Sequence, residues 1–185
     1  MKRIIPCIAI MSLLLSGCSS GKLFAAKPDF NSAYTVEAQV KCGGDESRAT
    51  VTRNSSGDWE FCFTEPEALN GIKLNLSGDQ MSAALGELNI SAEESPAYTT
   101  VPELIADSLD LLPDVKSDKI TDNEGILSIE TELDSRRVTV TADSSGNLIS
   151  LKCPYHKLSV YFSNQQTLGA AAESTESDEG SISLE

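Results

Sequence analysis

From Tyr34 onward one pattern recurs: apolar residues at every second position, in short runs closed by glycine- or serine-rich turns. Tyr34, Val36, Ala38 and Val40 alternate with Thr35, Glu37, Gln39 and Lys41. An extended strand projects successive side chains to opposite faces, so this run predicts a strand with one side buried. Gly43-Gly44-Asp45-Glu46 turns the chain, and Ala49, Val51 and Arg53 continue as the partner strand. Asn54-Ser55-Ser56-Gly57-Asp58 turns it again into Trp59, Phe61 and Phe63. Strands joined this tightly pair antiparallel and form a meander.

The pattern returns in Ile72, Leu74 and Leu76 before Ser77-Gly78-Asp79, then in short runs near Gln80 to Ala84 and Glu87 to Ile90. It returns again in Leu127, Ile129, Thr131 and Leu133, and in Val138, Val140 and Ala142 before the Asp143-Ser144-Ser145-Gly146-Asn147 turn. Leu148 to Cys153 and Leu158 to Phe162 close the series. The chain is therefore predicted to be mainly β, with about nine to eleven strands. One segment breaks the period of two: Val101, Leu104, Ile105, Leu109 and Leu112 follow helical spacing, with Glu103, Asp107 and Asp110 on the other face. Thr100-Val101-Pro102-Glu103 fits a capping box, and Pro113 stops the helix, giving an amphipathic helix over residues 101–112. Such a helix should lie across the apolar face of the sheet, which otherwise has nothing to pack on.

The ends of the chain carry different information. Lys2-Arg3, the apolar stretch from Ile4 to Leu15 and Ser16-Gly17-Cys18 follow the order of an export signal, residues 1–17. The apolar stretch is too short to span a bilayer as a helix. Leu15-Ser16-Gly17-Cys18 resembles the bacterial lipobox, which implies diacylglyceryl modification of Cys18 and cleavage just before it. Residues 18–31 then read as a tether from the lipid to a domain over 32–164, and residues 165–185 as an acidic, disordered tail. The expected location is the extracytoplasmic face of a cell membrane. A formal net charge of −14 argues against nucleic acid as a partner, which would need a basic patch.

No catalytic site is legible. His156 is the sole histidine, in Pro154-Tyr155-His156-Lys157, and reads as a turn residue. No nucleophile elbow, dinucleotide fingerprint or phosphate loop is present. No cysteine or histidine spacing suits a metal, and where an EF-hand started at Asp143 would need glutamate there is Pro154. No enzyme activity, metal or cofactor is expected. Of the five cysteines, Cys7 leaves with the signal and Cys18 takes the lipid, so Cys42, Cys62 and Cys153 remain. Alternation puts Cys42 on the apolar face after Val40, Cys153 on that face after Ile149 and Leu151, and Cys62 on the opposite face. A Cys42–Cys153 disulfide is favoured, with Cys62 free or available to link a dimer; three reduced thiols are the alternative.

The run from Trp59 to Leu74, with its Pro66-Glu67-Ala68-Leu69-Asn70-Gly71 bend and the following Ser77-Gly78-Asp79, resembles the middle of LolA-like lipoprotein domains. Lys157 to Asn164 is similar to the strand that closes that fold. The resemblance implies a curved antiparallel sheet, or incomplete β-barrel, wrapped around at least one helix and enclosing an apolar concavity that holds acyl chains in the carriers. The expected lipidation and the lack of a long helix before the first strand set this chain apart from periplasmic carriers. It looks closer to anchored relatives of Gram-positive cells, including a spore-germination lipoprotein, for which partner binding, lipid sensing or assembly of an envelope complex is implied. Two functions follow as expectations. One is binding of a lipid or hydrophobic ligand in a pocket formed by Trp59, Phe61, Phe63, Leu104, Ile105 and Leu109. The other is a protein-binding or chaperone-like envelope component whose core is filled.

Overall fold

The computed structural model describes residues 27–92 and 100–169. The strands are β1 (Tyr34–Cys42), β2 (Asp45–Arg53), β3 (Trp59–Glu65), β4 (Ile72–Ser77), β5 (Gln80–Leu85) and β6 (Leu88–Ala92). The helix α1 (Val101–Asp110) follows, then β7 (Ile120–Asn123), β8 (Ile126–Leu133), β9 (Arg136–Asp143), β10 (Leu148–Cys153) and β11 (Leu158–Thr167). All eleven strands join one antiparallel sheet in the order β6-β5-β4-β3-β2-β1-β11-β10-β9-β8-β7. Two meanders thus run outward in opposite directions from a β1/β11 seam. The sheet curves around α1 without closing, and among the described residues β6 and β7 are its unpaired edges.

The inner face is the one that alternation marks. Pairing sets Val36 opposite Val51, Ala38 opposite Ala49 and Val51 opposite Phe61. On the other meander Ile129 faces Val140 and Leu151 faces Val160. These residues join Leu104, Ile105 and Leu109 of α1 in one buried cluster. Removing so much apolar surface from water is what holds the sheet curved against the helix.

Several expectations shift. The helix ends at Asp110, and Leu112–Asp114 continues as a 3-10 turn. Alternation leaves β7 unmarked, because three of its four residues are exposed and polar. Strict alternation places Ile149 inside with Leu151 and Cys153, yet it points outward and is partly exposed. A register shift between Leu148 and Ser150 accounts for this: one extra residue in β10 reverses the facing on either side of it. Leu148 therefore takes the inner position.

The domain also extends past both predicted limits. Phe30 is buried in the core, and the Lys27 ammonium donates to the carbonyls of Pro113 and of Val115, the latter at 2.8 Å. Gly146 permits this docking, since a Cβ there would stand 2.8 Å from Pro28, and its φ of +90° already favours glycine. Residues 27–31 are thus part of the fold, and β11 runs on to Thr167. Residues 1–17, Cys18 and most of the proposed tether and tail lie outside the described residues.

Candidate functional site

The helix is fixed at both ends. At its start the Thr100 hydroxyl accepts from the Glu103 amide at 3.3 Å, while the Thr100 amide donates to the Glu103 carboxylate at 2.6 Å. Pro102 sits in the first turn, where its missing N–H leaves no bond unmade. At the other end the Asp110 carboxylate accepts from Trp59 Nε1 at 2.9 Å and from Arg53 Nε at 3.1 Å. Those contacts tie the C-terminal turn of α1 to β2 and β3. Burial and the neighbouring charges of Glu103, Asp110 and Asp134 hold the Asp107 carboxyl above the usual carboxylate range.

A cavity of about 570 Å³ opens between the first turn of α1 and the inner faces of β1 to β3. Val40, Ala49, Phe61 and Ile105 line its buried part, and Phe63, Leu69 and Val101 its outer part. Asp45 and Glu46, at the start of β2, stand at the rim. Glu46 is held below the usual carboxylate range by hydrogen bonds from Gln39 and Lys41. Ala49 is what leaves room: it is paired with Ala38 on one side and Phe63 on the other, so two small inner side chains lie next to one large one.

Beyond the cavity the apolar face continues. The row Phe61, Leu74, Ala83, Ile90 crosses β3, β4, β5 and β6 in register, with Ile72, Leu85 and Leu88 beside it. Burial falls steadily along this wing. Phe61 is 1% exposed, whereas Leu85, Leu88 and Ile90 are 50%, 61% and 62% exposed.

Of the six expected pocket residues, Phe61, Phe63 and Ile105 line this cavity. Trp59, Leu104 and Leu109 belong to the packed core instead. Trp59 is drawn away by its indole N–H bond to Asp110, with its ring 6.0 Å from Tyr34 edge-on and 6.4 Å from Phe61. Leu109 faces a small gap of about 60 Å³ at the far end of the helix. Val40, Ala49, Leu69 and Val101 fall outside the expected pocket set, although the inward register of Val40 and Ala49 is readable from the alternation.

The expected Cys42–Cys153 disulfide is not formed: Cys42, Cys62 and Cys153 are free thiols. Register gives the reason. Leu158 of β11 is opposite Cys42 on one side and Cys153 on the other. Two strand spacings put the cysteines ~10 Å apart, beyond disulfide reach. The Cys42 thiol contacts the His156 carbonyl at 3.5 Å instead. Cys62 is partly exposed on the outer face, opposite Thr50 and Lys73. His156 lies in a 3-10 turn, its Nε2 2.9 Å from the Arg136 guanidinium, which also stacks over Tyr155 at 3.9 Å. Among the described residues no group of three or more His, Cys, Asp or Glu could hold a metal ion.

Fold and site together define an open, curved β-sheet protein with a helix in its concavity and an apolar cavity at the helix N-terminus. No family model and no curated protein matches the sequence. Among solved structures it is similar to an uncharacterized conserved protein from Thermus thermophilus, at TM-score 0.49 and 9% identity, covering 76% of this chain and 81% of that one. A LolA superfamily protein from Nitrosomonas europaea aligns at TM-score 0.38 and 9% identity, over 80% of this chain and 91% of that one. A DUF1329 family protein from Desulfovibrio piger aligns at TM-score 0.33 and 11% identity, over 74% and 85%.

Proposed function

We propose that the chain is an extracytoplasmic lipoprotein, held at the membrane through diacylglyceryl-Cys18, that binds a lipid or other hydrophobic ligand without chemically changing it. The observation that carries this reading is the apolar cavity of about 570 Å³ at the start of α1. Small-molecule sites generally fall between ~300 and 1,000 Å³, with apolar walls and few polar groups at the rim. Phe61, Phe63, Val101 and Ile105 supply apolar walls, and the exposed β4–β6 face extends them towards solvent. An acyl chain can be buried there by the same apolar transfer that drives folding. The sequence resemblance to LolA-like lipoproteins supports the same ligand class.

The test is solvent extraction of the purified full chain followed by mass spectrometry. The wild type retains an amphiphile, and Phe63→Glu loses it while still unfolding cooperatively, since Phe63 is only partly buried at the edge of the core. Failure of the wild type either to retain lipid or to take up a fluorescent fatty acid would refute ligand binding. The anchor is tested separately: Cys18→Ser should move the chain from the membrane fraction to the soluble fraction, and retention in the membrane would refute lipidation at that residue.

A further inference from the structure

Among the described residues the sheet has two unpaired edges, and they differ in how they are protected. Edge strands expose unpaired N–H and C=O groups, and proteins usually blunt them with charges, prolines, bulges or a cover. At one edge, β7 is short and carries Asp122. At the other, β6 reads Leu-Asn-Ile-Ser-Ala, with no charge and no proline, and it pairs with β5 from Leu88 to Ala92 without a register shift. Its inner face adds Leu88 and Ile90 to Leu85 of β5, three exposed apolar side chains brought side by side by the pairing.

This combination specifies an occupant. A lipid could cover the apolar side chains but offers no array of main-chain donors and acceptors along the strand edge. A helix has its own main-chain groups engaged. An extended polypeptide supplies both, hydrogen bonding along the edge and apolar side chains at every second position. Charge narrows it further. The chain carries −14, and Asp79 and Glu87 lie in the turns around β5 and β6. Lys73 is the sole basic residue between Ile72 and Ala92, and its ammonium is already 4.0 Å from Glu60 on the outer face. A second copy would bring the same negative charge.

We infer that β6 receives an extended segment of another protein as an added antiparallel or parallel strand, apolar at alternate positions and flanked by lysine or arginine. The site lies on the backbone from Leu88 to Ser91 and does not depend on the cavity holding a ligand.

The test uses the full chain and a synthetic peptide of alternating valine and threonine with lysines at both ends. Binding is followed by fluorescence anisotropy and by amide hydrogen exchange. Saturable binding should slow exchange at Leu88 to Ser91, and a glutamate-ended peptide should bind about tenfold more weakly. Ile90→Pro should abolish binding, whereas Ala49→Phe, inside the cavity, should leave it unchanged. Binding without protection of β6, or equal binding of the two peptides, would overturn the inference. So would concentration-dependent protection of β6 in the absence of peptide, which would place a second copy on this edge.

Discussion

Strands β9 and β6 share one pattern and have opposite fates. In β9, Val138, Val140 and Ala142 alternate with polar residues and are 0% exposed; in β6, Leu88 and Ile90 alternate in the same way and are more than half exposed. What separates them is cover. Among the described residues, β9 shares one buried cluster with Leu104, Ile105 and Leu109 of α1, whereas β5 and β6 contribute no buried residue to it. Alternation therefore reports which way a side chain faces and not whether anything lies against it.

The contrast can be broken most forcefully by truncating one residue in each region. Leu151→Ala in the covered half should cost about 3 kcal/mol in denaturant unfolding, because Leu151 is fully buried and a cavity would remain. Leu88→Ala in the wing should cost less than ~0.5 kcal/mol. Similar losses at both positions would mean that the wing is covered after all.

A smaller effect concerns what holds the helix in place. Asp110→Ala removes the acceptor of both Trp59 Nε1 and Arg53 Nε. It should cost about 2 kcal/mol and quench or shift the fluorescence of Trp59, the sole tryptophan. Thr100→Ala, which removes the cap beside the cavity, should cost about 1 kcal/mol and weaken ligand uptake more than Asp110→Ala does. If uptake responds to the two variants in the opposite order, the cavity at the helix start is not the site.

The smallest expected effect is one of pH. The folded Asp107 carboxyl binds its proton more tightly than in the unfolded chain, so its contribution to stability falls as pH rises through the window between the ordinary carboxylate value and the raised one. Asp107→Asn should therefore be more stable than wild type at neutral pH, with the difference vanishing below the ordinary range. Chemical denaturation at a series of pH values reads this directly.

Much of this architecture is legible in the sequence because sheet register and helix capping are local. The pairing of Tyr34 to Val40 with Ala49 to Arg53, the capping box at Thr100 and the Asp143 turn all follow from neighbouring residues. What escapes depends on distance in space. The β10 bulge that turns Ile149 outward, the docking of Lys27 and Pro28, and the interposition of Leu158 between Cys42 and Cys153 are set by the path of other strands. For the pocket, three aromatic residues on one strand look equivalent in the sequence. Only the helix position decides that Trp59 is tied to Asp110 while Phe61 and Phe63 face open space.

The most direct measurement of the central claim is a titration of the full chain with a fluorescent single-chain fatty acid, comparing wild type with Ala49→Phe. Filling the cavity from Ala49 should weaken uptake at least about tenfold, a loss of roughly 1.4 kcal/mol, while the unfolding transition stays cooperative. Unchanged uptake by Ala49→Phe would show that the ligand does not occupy the space between α1 and the inner faces of β1 to β3, and would contradict the proposed function.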